Sequence, residues 1–121
     1  MKRISFLLLL ALIVAACQDK NTFTVKGVLK GKTGKYICIN KVDVNTPILI
    51  DSAKIGKNGS FRLNVKCSEP DFYQLGFSTA NFITLLAEPS ERIILTFNDT
   101  NLYKNYSIAG SPGSSKLQVL D

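Results

Sequence analysis

The sequence contains no histidine and no tryptophan, and its single methionine is the first residue. Without imidazole, the commonest general base and the commonest transition-metal ligand are both missing. Cysteine is scarce, with three residues and no Cys-x-x-Cys: Cys38 precedes Ile39-Asn40-Lys41 and Cys67 precedes Ser68-Glu69-Pro70. That excludes the redox motif of thioredoxin-like enzymes. Carboxylates are few and scattered, so no metal-ligand cluster can be read, and phosphate-loop and dinucleotide fingerprints are absent. Neither a metal nor a cofactor is expected. The one long apolar run ends at Ala16, short of the ~20 residues that a transmembrane helix needs.

That run has the form of an export signal. Met1-Lys2-Arg3 is a positive n-region, Ile4 to Val14 an apolar h-region, and Ala15-Ala16-Cys17 a small-residue cleavage site. Val14-Ala15-Ala16-Cys17 closely resembles the bacterial lipobox. By that resemblance residues 1–16 are a lipoprotein signal peptide, Cys17 is the lipidated first residue, and residues 17–22 tether the domain. Acyl chains contribute ~0.8 kcal/mol per buried CH₂, so several on one cysteine hold a domain firmly to a membrane. Gln18, in place of Asp, is compatible with sorting to an outer membrane, and the expected location is the cell envelope, on the periplasmic face.

The remaining 105 residues carry 13 basic and 9 acidic side chains, and 42 of them are apolar. Such a chain can bury a core unaided. Short β-type runs recur every eight to twelve residues: 23–30, 35–42, 47–55, 60–67, 71–77, 82–87, 92–97 and 106–109. Glycine and asparagine mark turns at Gly31 to Gly34 and Gly56 to Gly59, and Pro89-Ser90 marks another. Phe61, Leu63 and Val65 alternate with Arg62, Asn64 and Lys66, as on a strand with one dry and one wet face. The expected fold is all-β, an antiparallel two-layer β-sandwich of about eight short strands over residues 23–110, with a short helical C-terminal tail. Residues 111–121 read as a hinge at Pro112-Gly113 and a loosely docked helix start capped by Ser114 and Ser115, with Val119 left exposed.

Charge is uneven. Residues 20–66 hold ten Lys and Arg against two Asp, and residues 67–121 three against six carboxylates. Such a basic flank near a lipid anchor is suited to anionic headgroups or polysaccharide, or serves as lysine on solvent faces and edge strands to prevent aggregation. Nucleic acid is not expected as a partner of an exported protein.

Few residues suggest chemistry. Cys38 and Cys67 are a candidate disulfide that would close a loop of about 30 residues, or else two unpaired thiols. Glu88 and Glu91 around Pro89-Ser90 read as turn residues, and Ser52 with Lys54 lacks the setting of a nucleophile pair. Asp51-Ser52-Ala53 resembles the tripeptide that some bacteria O-glycosylate, which makes Ser52 a candidate modification site.

Five ordered blocks carry a wider resemblance: Phe23-Thr24-Val25-Lys26-Gly27; Ile50-Asp51-Ser52-Ala53 with Asn58-Gly59-Ser60-Phe61; Pro70-Asp71-Phe72-Tyr73; Leu86 to Ile93; and Gly110 to Ser114. With these the chain resembles the uncharacterised β-rich N-terminal domain of TlpA-like (AhpC/TSA-type) thioredoxin-family lipoproteins. In that family the redox chemistry belongs to the thioredoxin domain, which this sequence does not contain, so the resemblance assigns no catalytic residue here. Two functions follow as expectations. One is a non-enzymatic, membrane-anchored binding or spacer module. The other is the targeting half of a thiol-disulfide interchange protein, truncated or working with a separate thioredoxin-like chain.

Overall fold

The computed structural model describes residues 20–44 and 46–120, except the Leu120 side chain. The expected signal peptide, residues 1–16, and the expected lipidation site Cys17 lie outside these residues. Eight strands form: β1 (Thr22–Val28), β2 (Tyr36–Lys41), β3 (Ile48–Lys54), β4 (Ser60–Lys66), β5 (Asp71–Ser78), β6 (Asn81–Ala87), β7 (Arg92–Phe97) and β8 (Tyr106–Ala109). One helix, α1 (Pro112–Leu120), follows. The strands build two four-stranded sheets, sheet A in the order β4-β1-β7-β8 and sheet B in the order β3-β2-β5-β6. All pairings are antiparallel except β1 with β7, which run parallel.

Period-two sequence alternation builds the core between the sheets. In β4, Phe61, Leu63 and Val65 are buried while Ser60, Arg62, Asn64 and Lys66 are exposed. From sheet A, Phe23, Val25, Ile93 and Leu95 meet Ile37, Ile39, Leu75, Ile83 and Leu85 of sheet B. Phe23 and Tyr73 join the layers with ring centroids 4.9 Å apart in an edge-on arrangement, a favoured aromatic geometry. Burial, above all, and then a hydrogen bond with Cys67 raise the Tyr73 pKa well beyond the ordinary phenol value, so its hydroxyl stays neutral.

At one side of the sandwich the edge strands β3 and β4 contact each other; at the other, α1 packs on both β6 and β8. The tail is therefore firmly docked, and Pro112-Gly113 lies inside the helix, contrary to the expectation of a hinge there followed by a frayed or loosely docked end. Ser111 is the N-cap, its carbonyl accepting the Ser115 N–H at 3.0 Å, and Pro112 takes the first helical position, where its missing N–H costs nothing. Ser111 and Ser114 are each only 1% exposed. The chain instead bends at Gly110, whose φ of +82° is open to glycine and strained for other residues. A Cβ there would collide with the Arg92 carbonyl. Val119 is 85% exposed, as its place on the helix suggested.

Candidate functional site

Strand register turns a dispersed set of basic residues into one surface. Lys26 and Arg62 are direct partners across β1 and β4, and Lys26 is also level with Ile94 of β7. Thr22 faces Lys66, and Thr24 lies between Asn64 and Arg92. All these positions share the outer face of sheet A, because their neighbours Phe23, Val25, Leu63, Val65, Ile93 and Leu95 point into the core. The face thus holds Lys26, Arg62, Lys66 and Arg92, and its other described residues are Thr, Ser, Asn, Ala, Val and Ile. Its strands contribute no carboxylate to this side.

A shallow groove of about 530 Å³ runs along the face between Lys26, Arg62 and Ile94, with Thr96 and Ser60 on its wall and Lys54 reaching in from the adjoining edge strand β3. The hydroxyl of Thr24 donates to Asn64 Oδ1 at 3.2 Å beside it. Anions fit this chemistry: ammonium and guanidinium groups donate hydrogen bonds to carboxylate or phosphate oxygens, and hydroxyls complete the shell.

Sheet B is charged differently. Lys41 Nζ lies 3.1 Å from Asp71 Oδ2, the one ion pair among the described residues. The hydrogen bond from Lys41 and its attraction to Asp71 raise the lysine pKa. Burial pushes the Asp71 carboxyl up, but the Phe72 N–H and then Lys41 outweigh it and hold the group below its ordinary value.

The residues singled out from sequence lie elsewhere. Cys38 sits on the outer side of sheet B, opposite Ser52 of β3, while Cys67 is buried in the core just after β4. Both are free, and a sheet of backbone separates them, so the candidate disulfide is not formed. The Cys67 thiol donates to the Glu69 carbonyl at 2.9 Å. Ser52 is exposed on edge strand β3 beside Asp51, whose Oδ1 accepts the Ser52 N–H at 2.8 Å. Glu88 and Glu91 form a turn: Glu91 Oε1 accepts the Glu88 N–H at 3.0 Å and the Ser111 hydroxyl at 2.8 Å, which gives Glu91 a structural part. Among the described residues no group of His, Cys, Asp or Glu is placed to hold a metal ion, and no helix is long and apolar enough to cross a membrane.

The cationic face itself was not legible from sequence. Alternation shows that Lys26, Arg62, Lys66 and Arg92 point outward, but that they share one sheet follows only from pairing residues as far as 68 positions apart, as Thr24 with Arg92; Arg92 even comes from the acidic half of the chain.

The model of one protein family, described as a domain of unknown function (DUF4369), matches residues 23–117. The matched segment spans all eight strands but the first residue of β1, and runs into α1. The chain belongs to this family. No curated protein and no solved structure matches it.

Proposed function

We propose that this family member is a non-enzymatic, lipid-anchored module of the cell envelope, held to a membrane through Cys17 and facing the periplasm, with the outer face of sheet A as its binding surface. The observation that carries the reading is the grouping of Lys26, Arg62, Lys66 and Arg92 on a face without carboxylates, in a domain whose first strand starts at Thr22, five residues after the lipobox cysteine. Five extended residues reach at most roughly 17 Å, so an acylated Cys17 keeps the domain against the membrane surface. The resemblance to the N-terminal domains of TlpA-like lipoproteins supports the same placement.

The test is expression of the full chain in a diderm bacterium, followed by mass spectrometry of its N-terminal peptide. The expected product begins at Cys17 and carries acyl chains, and Cys17→Ala blocks processing. Free protein cleaved at another bond would overturn the anchor.

A further inference from the structure

We infer that the outer face of sheet A lies flat on the anionic phospholipid surface of the membrane that holds the anchor. In this arrangement Lys26, Arg62, Lys66 and Arg92 meet headgroup phosphates, and Ile94 enters the boundary beneath them. The proposal rests on the anchored reading above for its proximity to the membrane, and on the geometry of the face for everything else.

Lysine and arginine on solvent-facing strands often serve to keep sheet edges from pairing. That accounts for Arg62 and Lys66, because β4 is an edge strand, but not for Lys26 and Arg92, which lie on the interior strands β1 and β7. Lys26 and Arg62 are moreover direct cross-strand partners. Like charges in that position are destabilising, and among the described residues none of the four cations has an ion-pair partner, since the single ion pair is on sheet B. A fold that sets unpaired like charges opposite one another at a central position, with no acid to relieve them, carries a local cost that an external anion removes.

The anion is extended and planar. The four cations are spread over three adjacent strands, not gathered into a pocket, and the groove among them is shallow and open along the face. Ile94, 54% exposed, stands in the same cross-strand row as Arg62 and Lys26. An apolar side chain surrounded by cations matches the boundary between headgroups and acyl chains. A sugar polymer is commonly held against flat aromatic rings. Here Phe23 and Phe97 point into the core, Tyr106 packs against it, and Phe61, which borders the groove, is only 5% exposed, so the face presents no open ring for a sugar to stack on. The anchor completes the argument: β1, the strand that continues from the tether, is an interior strand of this face. Each basic residue near an anionic leaflet strengthens binding roughly fivefold, more than enough to orient a domain already tethered there.

The experiment uses the full lipidated protein, reconstituted in vesicles of phosphatidylcholine alone or of about three parts phosphatidylcholine to one of phosphatidylglycerol. Lysine acetylation is followed residue by residue by mass spectrometry. Lys26 and Lys66 should react several-fold more slowly in the anionic vesicles only, and salt should restore their rates; Lys35, Lys104 and Lys116 should react alike in both. The double variant Arg62→Glu, Arg92→Glu, altered at exposed positions, should melt no lower than the unaltered protein and lose the anionic-vesicle protection of Lys26. Equal rates in the two vesicles, or equal protection in both, would overturn the proposal. So would protection by an added anionic polysaccharide where phosphatidylglycerol gives none, which would name a different occupant. The mass of the Cys17 peptide in the same sample reads the anchor separately. If Cys17 proves unmodified, sedimentation of the chain with anionic but not neutral vesicles still supports the docking face, and its absence defeats it.

Discussion

The Ser114 hydroxyl clamps the free edge of β6 at Leu86: it accepts the Leu86 N–H at 3.0 Å and donates to the Leu86 carbonyl at 3.1 Å. β6 is the last strand of sheet B, and the Leu86 N–H and C=O bond Ser114 on its unpaired side, where they would otherwise offer an open edge. Ser111 sits 2.8 Å from Ser114 and donates to Glu91 Oε1, which ties the start of α1 to the turn before β7. The helix is therefore the cover of a sheet edge, held by polar groups, which explains how so short a helix is kept in place when its own nucleation is unfavourable.

Ser114→Ala should accordingly lower stability by ~1–3 kcal/mol, because it leaves the Leu86 N–H without its partner in a partly buried site, although the Ser111 hydroxyl, 3.2 Å from the Leu86 carbonyl, still reaches that oxygen. Deletion of residues 114–121 should lower the melting temperature by several degrees, given that ~1 kcal/mol moves a domain of this size by about 4–8 °C. Thermal denaturation followed by circular dichroism measures both. An unchanged midpoint would mean that the tail contributes nothing to the fold.

Lys26→Glu should stabilise the isolated fold while weakening its association with anionic vesicles. It converts the like-charge pair with Arg62 into an opposite-charge one, an effect of ~0.2–1 kcal/mol across strands. A urea midpoint raised at low salt, together with reduced sedimentation with phosphatidylglycerol vesicles, is the expected pair of results.

The Asp71 carboxyl titrates below its ordinary value in the folded protein. Its contribution to stability is present above the unfolded-state value of about 3.9 and is lost as pH falls through the lower folded value. Lys41 is raised, so its contribution is present below about 10.4 and is lost as pH rises through the higher folded value. Both groups are solvent-accessible and the effects are small. Asp71→Asn should flatten the acid limb of a plot of melting temperature against pH, leaving the rest of the profile in shape.

Thiol labelling should separate the two cysteines. Cys38, half-buried on the outer side of sheet B, is expected to react with an alkylating reagent in the native protein, whereas Cys67, 5% exposed, should react only after unfolding. Insulin reduction by the chain should match the blank, because these separated thiols lack a resolving partner. Turnover abolished by Cys38→Ser or Cys67→Ser would instead favour a role in thiol-disulfide exchange.

All eight strands stood within one or two residues of their expected positions, because the alternation that places Phe61, Leu63 and Val65 inside is a property of neighbours along the chain. The turn at Gly56 to Gly59 was legible for the same reason: Gly59, with φ of +82°, is a local requirement. The start of α1 was misread by three residues. The Ser111-Pro112 step carried the signal, a cap followed by a proline at the first helical position, but Pro112-Gly113 resembled a hinge until β6 and β8 were present to receive the helix.

By itself, then, the sequence determined the class, the strand positions and the sidedness of each strand, all of which rest on spacing within a few residues. Tertiary structure alone decided which strands became neighbours. The parallel pairing of β1 with β7 aligns Thr24 with Arg92 and Lys26 with Ile94, joining two segments of opposite average charge. No local pattern encodes that pairing, because it depends on which apolar faces can be buried together and which chain crossings are free to form. The cationic face is a product of that choice, since a side chain's own strand dictates only whether it points outward, and the partner strands dictate what it points out beside.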